Sequence, residues 1–365
     1  MIASLEDIHW SRFLDRPLLP EPSPEAVGTM QSEAILVTGA GGSIGSALAL
    51  RLANFGCEEL VLLESSESSL FTLRNSLSAT IPDGSAKLVL GSVLDQSLMD
   101  EIFDLYEPGI IFHAAAHKQV PLLEEQPFAA IENNIFGTQS IVDAAHSRRA
   151  LLVLLSTDKA VEPASVMGAT KRVSEMIVLE SGGTVIRLGN VLASSGSVAQ
   201  VFGAQINRGG PLTVTDPAAR RYFLTIDEAV HLLIAAAERK EQGSLFVPAL
   251  KAQHFIADLA WFLARELAPG QIIPVEFTGP RPGDKECEKL WGTGESVGGA
   301  ADDGLVSIRA SRIATDKREL ERLHVALDAR ELPEALAALQ SLVPEFTPSA
   351  ALLSLAGQRA SRVAP

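Results

Sequence analysis

The stretch Thr38-Gly39-Ala40-Gly41-Gly42-Ser43-Ile44-Gly45 decides the fold of this 365-residue chain. It follows an apolar run, Ala34–Thr38, that predicts a strand, and it opens a helical pattern from Ser43 to Phe55. Glycines at positions 39, 42 and 45 permit a tight turn, a close approach of backbone to a pyrophosphate, and close packing of helix on strand. The stretch therefore predicts a dinucleotide-binding turn, with an ordinary glycine-rich turn as the simpler alternative.

Outward from this turn, short apolar runs alternate with helical stretches. The runs are Leu60–Leu63, Lys87–Leu90, Ile110–Phe112, Leu151–Leu155 and Thr184–Arg187. Apolar strands separated by helices indicate a parallel sheet that is covered on both faces. The predicted fold class is α/β: a Rossmann-type doubly wound parallel sheet with a smaller C-terminal substrate-binding subdomain.

The second strand ends in a carboxylate, Glu64, nineteen residues after Gly45. A carboxylate there accepts hydrogen bonds from the adenosine ribose and repels a 2′-phosphate. No Lys or Arg follows in residues 65–67, so the predicted cofactor is NAD. Two further groups are expected beside it: Ser92 and Val93 near the adenine, and Ala114, Ala115 and Ala116 near the nicotinamide.

The expected organisation has four parts. Residues 1–30, with four prolines between positions 17 and 24, form an irregular N-terminal arm. Residues 31–190 form the NAD-binding domain, to which the chain returns near 222–250. Residues 191–345 are mainly the substrate-binding subdomain, and 346–365 are a tail with little to anchor it.

Charge and composition exclude several classes of protein. With 30 Lys and Arg against 45 Asp and Glu, the net charge of −15 argues against nucleic-acid binding. No apolar run approaches the roughly 20 residues that span a bilayer, and residues 1–7 lack the basic start of a secretion signal. Two cysteines make no disulfide framework, and no residues have metal-ligand spacing. We expect a cytoplasmic protein with neither a metal nor a membrane span.

Two segments carry candidate catalytic residues. Thr157-Asp158-Lys159 leaves the carboxyl end of the fifth strand, where ligands bind in such sheets, and Met167-Gly-Ala-Thr-Lys171 opens the next helix. With the glycine turn, these segments resemble the extended short-chain dehydrogenase/reductase superfamily, whose usual helix signature is Tyr-x-x-x-Lys. More narrowly, the chain is similar to the inverting UDP-GlcNAc 4,6-dehydratases of bacterial polysaccharide biosynthesis, the CapD/WbpM-like group. Further matching stretches are His113–Pro121, Asn133–Thr138, Arg187–Leu192, Arg221–Thr225 and Arg281–Lys285.

The resemblance implies a closed redox cycle on a nucleotide sugar. NAD takes hydride from C4, a base takes the acidified C5 proton, the C6 hydroxyl leaves with help from an acid, and hydride returns to C6. Lys159 would be the C5 base, Asp158 the acid at O6, and Lys171 the group that holds the nicotinamide ribose. If Lys159 is to act as a base near neutral pH, its pKa must lie below the usual value of a lysine. The simpler alternative is an exposed ion pair in a loop.

Met167 departs from the usual signature. It replaces the tyrosine that takes the C4 hydroxyl proton, which a thioether cannot do. The larger membrane-anchored members of the group also carry Met here, and a core-filling Met is the structural alternative. The C4 proton acceptor stays open among Lys159, Asp158, Thr157 and a water molecule.

Four residues are expected on the substrate side. Lys118 follows the fourth strand and is placed to reach a sugar hydroxyl or carbonyl. The resemblance implies that Asn190, Arg221 and Arg281 lie near the nucleotide diphosphate, where a planar guanidinium suits phosphate oxygens.

Two other functions stay open. A nucleotide-sugar 4-epimerase shares the fold, the cofactor and the first hydride step, although the Asp158-Lys159 pair favours elimination. A non-catalytic regulator that binds NAD or a nucleotide sugar is the alternative that Met167 raises. Trp10 and Phe13 are expected to pack the arm onto its own or a neighbouring subunit, and we expect a homo-oligomer.

Overall fold

Fifteen strands are present in the computed structural model, which describes residues 4–82, 84–309 and 314–363. They are β1 (Ala34–Thr38), β2 (Glu59–Glu64), β3 (Lys87–Leu90), β4 (Ile110–His113), β5 (Leu151–Thr157), β6 (Thr184–Leu188), β7 (Asn190–Val191), β8 (Leu212–Val214), β9 (Arg220–Arg221), β10 (Phe223–Leu224), β11 (Leu245–Pro248), β12 (His254–Phe255), β13 (Val275–Phe277), β14 (Ser296–Ala300) and β15 (Leu305–Arg309). Nine of them form one sheet in the order β14-β15-β11-β6-β5-β4-β1-β2-β3. Two neighbouring pairs of this sheet, β11 with β15 and β14 with β15, are antiparallel, and the other described pairs are parallel. The predicted Rossmann-type sheet is confirmed.

Helices cover both faces of the sheet. They are α1 (Ser11–Leu14), α2 (Pro24–Gln31), α3 (Ser43–Phe55), α4 (Glu67–Ser78), α5 (Gln96–Tyr106), α6 (Val120–Glu125), α7 (Pro127–Ala130), α8 (Gly137–Arg148), α9 (Val166–Glu180), α10 (Val198–Asn207), α11 (Ile226–Arg239), α12 (Ile256–Leu267), α13 (Lys317–Asp328), α14 (Leu332–Leu342) and α15 (Ala350–Val363). Three irregular helical turns, Leu5–Asp7, Ile131–Phe136 and Asp158–Ala160, complete the set.

Two apolar cores lie on opposite sides of the sheet. One face, with Leu36 and Ile111, packs against α5, α8, α9, α13 and α14. The other, with Ile35 and Val37, packs against α3 and α11. The alternation follows from the pleat, because successive side chains of a strand point to opposite faces. Burial on both faces holds the carboxyl ends of the strands at one fixed edge.

The N-terminal arm is more regular than expected. Residues 24–31 form α2, because the Ser23 hydroxyl accepts a hydrogen bond from Ala26 N and Pro24 occupies the first helical position, where its missing N–H costs nothing. Further upstream, Phe13 is buried and its ring centroid lies 5.4 Å from that of Phe262 in α12. The arm therefore packs on its own chain.

The C-terminal part also differs from expectation. Residues 245–248 return to the sheet as β11, within the expected return, but β14, β15, α13 and α14 also pack with the Rossmann core and not with the second lobe. The expected unanchored tail contains α15, whose Leu352 is fully buried in the same core. These segments have weak local signals, and tertiary burial stabilises them.

A second, smaller lobe supplies the other wall of the site. It has its own apolar core from α10, α12, β8 and β10, with Phe202, Phe223 and Leu259 at its centre. Among the described residues, no helix is both long and apolar enough to cross a lipid bilayer.

Candidate active site

A cleft of about 630 Å³ lies at the carboxyl ends of β1, β4, β5 and β6, facing the second lobe. It is lined by predicted residues from both halves of the chain. These are Gly39, Gly42, Ser43, Ile44, Gly45, Ala114, Ala116, Lys118, Thr157, Lys159, Met167, Lys171, Asn190, Arg221 and Arg281. Parallel strands bring their carboxyl ends to one edge, which is why residues so far apart in sequence meet here.

The backbone of the glycine turn packs so closely against its neighbours that side chains at Gly39 and Gly45 would clash. Gly39 has a φ of +66°, and a Cβ on it would lie 2.7 Å from the backbone of Ala115. A Cβ on Gly45 would lie 2.1 Å from the carbonyl oxygen of Gly39. Gly42 precedes the first turn of α3 and offers no capping side chain, so the N–H groups of that turn remain available to an anion.

Glu64 lies behind this turn. Its carboxylate accepts hydrogen bonds from the backbone N–H groups of Gly41 at 2.9 Å and Ser66 at 2.8 Å. A Cβ on Gly41 would lie 2.9 Å from Cγ of Glu64, so these two residues pack directly together outside the cleft wall. A carboxylate accepts about four hydrogen bonds, which leaves capacity for ribose hydroxyls. The ribose contact stays a prediction.

Three other predicted cofactor residues also lie outside the cleft wall. Val93 is buried, and a Cβ built on Gly137 would lie 2.7 Å from its Cγ2. The Ser92 hydroxyl accepts a hydrogen bond from Leu94 N at 3.2 Å, and Ala115 packs against Gly39. Their contacts with a cofactor stay predictions.

Asp158 and Lys159 form an ion pair at the end of β5. Lys159 Nζ lies 2.9 Å from Asp158 Oδ1 and donates a second hydrogen bond to Asn190 Oδ1 at 2.8 Å. The Thr157 hydroxyl donates to the same Asp158 oxygen at 3.0 Å. Lys159 lines the cleft, whereas Asp158 is fully buried behind it, with Oδ2 lacking a hydrogen-bond partner among the described residues. The pair is not the exposed loop ion pair of the simpler alternative.

The charge state of Lys159 differs from expectation. Burial alone lowers the pKa of this amine, but the nearby carboxylates of Asp158 and Glu288 outweigh burial and hold the pKa above its usual range. Burial also raises the pKa of Asp158, and Glu288 adds to that rise. The expected fall in the pKa of Lys159 is therefore wrong, because two carboxylates face the amine. Lys159 is protonated while Asp158 is ionised.

Helix α9 presents Met167 and Lys171 to the cleft from positions four apart, which lie on one side of a helix. Met167 is almost completely buried, and its thioether provides no proton acceptor. Burial lowers the pKa of Lys171 to about 8, partly opposed by Glu175. Burial and the charge of Lys171 lower the pKa of His113 to about 3, so this histidine is neutral. Its ring nitrogens lie within hydrogen-bond distance of the Thr38 and Thr138 hydroxyls.

The substrate-side residues lie at different depths. Lys118 is exposed at the cleft, where partial desolvation lowers the pKa of its amine. Arg221 is buried, with its guanidinium donating to the carbonyl oxygens of Lys285 at 2.8 Å and Glu286 at 3.0 Å. Arg281 is exposed and pairs with Asp284 at 3.0 Å. Of the predicted substrate-side cations, Lys118 and Arg281 are exposed and Arg221 is buried. Separately, the described residues contain no cluster of three or more His, Cys, Asp or Glu that could hold a metal ion.

Sequence reasoning missed two buried carboxylates beside the site. Glu288 follows the Arg281–Lys285 motif and lies 3.9 Å from Lys159 Nζ. Glu175, one helical turn after Lys171, accepts a hydrogen bond from the Ser156 hydroxyl at 2.6 Å and pairs with Arg187 at 2.7 Å. The i, i+3 spacing of Arg172 and Glu175 on α9 is a signal that could have identified Glu175. Glu288 stands in a charged loop without such a signal.

The comparison with known families decides the membership of this chain. The family described as "Polysaccharide biosynthesis protein" matches residues 35–309. The chain belongs to this family. Within it, the chain is 40% identical over 297 residues to the probable polysaccharide biosynthesis protein EpsC of Bacillus subtilis, covering 78% of this chain and 49% of EpsC. It is also 40% identical over 271 residues to the capsular polysaccharide biosynthesis protein CapD of Staphylococcus aureus, covering 72% of this chain and 45% of CapD. The resemblance to the CapD-like group is confirmed, and the chain spans about half the length of these two relatives.

Solved structures place this family member in the short-chain dehydrogenase/reductase fold. Pen from Bacillus thuringiensis aligns with a TM-score of 0.71 at 25% identity, covering 78% of this chain and 91% of that one. DesIV, a dTDP-glucose 4,6-dehydratase from Streptomyces venezuelae solved with NAD, aligns with a TM-score of 0.61 at 20% identity, covering 70% and 88%. The latter likeness concerns the fold alone.

Proposed function

We propose that this polysaccharide biosynthesis family member is an NAD-dependent nucleotide-sugar 4,6-dehydratase that acts on UDP-GlcNAc or a related UDP-sugar. The observation that carries the proposal is one cleft in which the glycine turn before α3, the Lys159–Asp158 pair and Lys171 meet. In the reaction, the sugar is oxidised at C4, water is lost across C5 and C6, and hydride returns to C6. The C4 hydroxyl proton ends on C5, and the C5 proton leaves in the water.

The residues of the cleft fit NAD. The tight glycine turn lies directly before α3, whose N-terminus offers N–H groups without a capping side chain. Gly39, Gly42 and Gly45 would hold the pyrophosphate, Glu64 the adenosine ribose and Lys171 the nicotinamide ribose. When bound, NAD supplies a reversible hydride acceptor. Calorimetric titration should give tighter binding of NAD than of NADP; the reverse order would contradict the role of Glu64.

Lys159 and Asp158 act as one proton-handling unit. Lys159 rests as an ammonium, and its 2.9 Å hydrogen bond gives the ammonium proton a path to the buried carboxylate of Asp158, whose pKa burial raises. The neutral amine of Lys159, which lines the cleft, then takes the C5 proton and delivers it to O6 as the hydroxyl leaves. Asp158 contributes from behind Lys159, since it lies outside the cleft wall.

The first deprotonation, at the C4 hydroxyl, cannot use Met167. Ser156 and Thr157 of β5, Lys159 in the turn that follows and Lys171 of α9 are polar residues that line the cleft together with this methionine. The Ser156 hydroxyl donates to the buried Glu175. Thr157 donates its own proton to Asp158, so it is suited to relay a proton to that carboxylate. The candidates for the acceptor of the C4 hydroxyl proton are therefore Lys159, a water molecule, and Asp158 by way of the Thr157 hydroxyl.

A second candidate function is supported by one specific observation. The chain is 33% identical over 272 residues to a UDP-glucose 4-epimerase of Rickettsia rickettsii, covering 70% of this chain and 76% of that enzyme. An epimerase would use the same cleft and the same hydride step, without the elimination. The Lys159–Asp158 pair favours the dehydratase, because epimerisation at C4 needs no proton transfer at C5.

Incubation with NAD and UDP-GlcNAc, UDP-glucose or UDP-galactose tests both functions. We expect a 4-keto-6-deoxy product that is one water lighter than the substrate by mass spectrometry, with its C5 configuration read by NMR. A product of unchanged mass would favour the epimerase. Binding of both ligands without turnover would favour a non-catalytic regulator.

The Asp158→Asn variant tests the proton-handling unit. It should abolish dehydration and retain NAD binding, because within the described part of the chain the Asp158 carboxylate hydrogen-bonds to Thr157 and Lys159 and not to the glycine turn. Asp302→Asn, at an exposed position, is the matched control and should turn over normally. Unchanged turnover of Asp158→Asn would remove Asp158 from the mechanism. Assembly into a homo-oligomer stays a prediction, which light scattering checks.

A further inference from the structure

We propose that Glu288 is a positioning residue that fixes the Lys159 ammonium against Asp158 and ties the loop of residues 279–290 to the catalytic edge of the sheet. This inference rests on the proposed function, because that function gives Lys159 its role. Glu288 itself lies outside the cleft wall and would not touch the sugar.

The Glu288 side chain is buried within an exposed segment. Glu288 is 3% exposed, whereas its neighbours Cys287 and Lys289 are both exposed. Charged side chains are almost never fully buried unless they are paired. The fold thus turns this carboxylate inward, although solvent is available one residue away on either side.

Three cations from separate parts of the chain surround the Glu288 carboxylate. Oε1 lies 3.9 Å from Lys159 Nζ and 3.9 Å from Arg221 Nε, and Oε2 lies 3.2 Å from Lys285 Nζ. Lys159 follows β5, Arg221 lies in β9 of the second lobe, and Lys285 belongs to the loop itself. A single carboxylate therefore connects the catalytic strand, the second lobe and the loop.

Further hydrogen bonds hold the loop in this position. Lys285 Nζ donates to the carbonyl oxygen of Val161, just after the catalytic segment, at 2.8 Å. Arg221 donates to the carbonyl oxygen of Lys285 at 2.8 Å, and Gln253 Nε2 donates to that of Glu288 at 2.9 Å. Arg281, which lines the cleft, belongs to the same loop.

The charges around Lys159 depend on Glu288. The cluster contains two carboxylates, Asp158 and Glu288, and three cations, Lys159, Arg221 and Lys285. Without Glu288, three neighbouring cations would share one buried carboxylate and repel one another. Lys159 would then keep only Asp158 as a counter-charge, and its ammonium would be less well fixed and easier to deprotonate.

Competitive acetylation of the whole protein across a pH series, read by mass spectrometry at the Lys159 peptide, tests the positioning role without any substrate. Glu288→Gln should lower the midpoint of Lys159 labelling by about one pH unit, since a carboxylate within ~4–6 Å contributes about that much or more. Glu286→Gln, which removes the same charge from an exposed side chain two residues away, is the control and should leave the midpoint unchanged. Equal midpoints in the two variants would overturn the proposal.

Turnover supplies the second readout. In Glu288→Gln we expect kcat to fall about tenfold, because a loosely held catalytic group is less often in the reactive geometry. The acid limb of the pH profile should also move to lower pH. An unmoved limb would overturn the positioning role. If Glu288→Gln does not fold, Glu288→Asp replaces it: a lower labelling midpoint with lower kcat supports the role, and wild-type values of both overturn it. Absence of turnover in the wild type would contradict the proposed function alone, since labelling needs no reaction.

Discussion

Replacement of Gly45 by alanine is the sharpest test of the cofactor turn. The new Cβ would lie 2.1 Å from the carbonyl oxygen of Gly39, 3.0 Å from its carbonyl carbon and 3.1 Å from Cα of Ala40. All three atoms belong to the backbone of the turn, so no side chain can rotate away. Relief to an ordinary contact requires roughly 1 Å of separation between α3 and the turn.

Two effects of opposite sign set the magnitude for Gly45→Ala. Overpacking of this kind costs about 1–3 kcal/mol, whereas alanine in place of glycine within a helix gains about 1 kcal/mol. We expect the free energy of unfolding to fall by up to about 2 kcal/mol. The affinity for NAD should fall at least about tenfold, because an ångström of displacement misplaces the N–H groups that would meet the pyrophosphate.

Gly28→Ala is the matched control, because it makes the same chemical change at an exposed position of a helix, α2, with nothing within 4 Å of the new Cβ. It should stabilise the protein by about 0.5–1 kcal/mol and leave NAD binding unchanged. Urea unfolding measures the stabilities, and calorimetric titration measures the NAD dissociation constants. Wild-type affinity and stability in Gly45→Ala would refute the reasoning; failure of the wild type to bind NAD would contradict the cofactor instead.

Three further predictions follow from buried groups. Glu175→Gln leaves the buried Arg187 guanidinium with Glu295 as its remaining carboxylate partner and should cost about 1–3 kcal/mol in urea unfolding. Glu345→Gln, at a partly exposed partner of the same network, should cost less than about 1 kcal/mol. Met167→Tyr adds a phenol four residues before Lys171 and should speed the first hydride transfer in single-turnover kinetics. A slower transfer would mean that the methionine shapes the sugar pocket. His113, with its pKa lowered to about 3, stays neutral in the folded protein while its unfolded form protonates below pH 6.5, so stability should be lost as the pH falls from about 6.5 towards 3. Urea unfolding of His113→Gln at pH 7, 5 and 4 should give a weaker pH dependence, and an equal dependence would contradict this assignment.

The elements with strong local signals were predicted closely. The structure has β1 at Ala34–Thr38 and α3 at Ser43–Phe55, both with the predicted bounds. An apolar run before a glycine turn and a glycine at the helix end are signals contained within about twenty residues of sequence. In contrast, α15 was missed because its helix depends on burial of Leu352 against the core.

The candidate site divides in the same way. Sequence order indicated that Thr157 and Lys159 would lie at the carboxyl edge of the sheet, because they leave its fifth predicted strand, and the resemblance placed Asn190 near the diphosphate. The position of Asp158 behind Lys159 was not predictable, since a strand end does not specify which side chain turns inward. Glu288 was missed because its contacts with Lys159 and Arg221 join segments far apart in the chain.

By itself, the sequence determined the Rossmann-type sheet, the glycine turn, the family resemblance and the edge at which the site forms, because these depend on periodicity and on short motifs. Only the tertiary structure decided the charge state of the lysine in the site. The sequence argument required the pKa of Lys159 to fall. The fold raises this pKa, because it places Glu288, which is distant in sequence, near the amine together with the adjacent Asp158. The sign of such a shift depends on the balance between desolvation and nearby charges, and that balance is set by distances that only the folded chain defines.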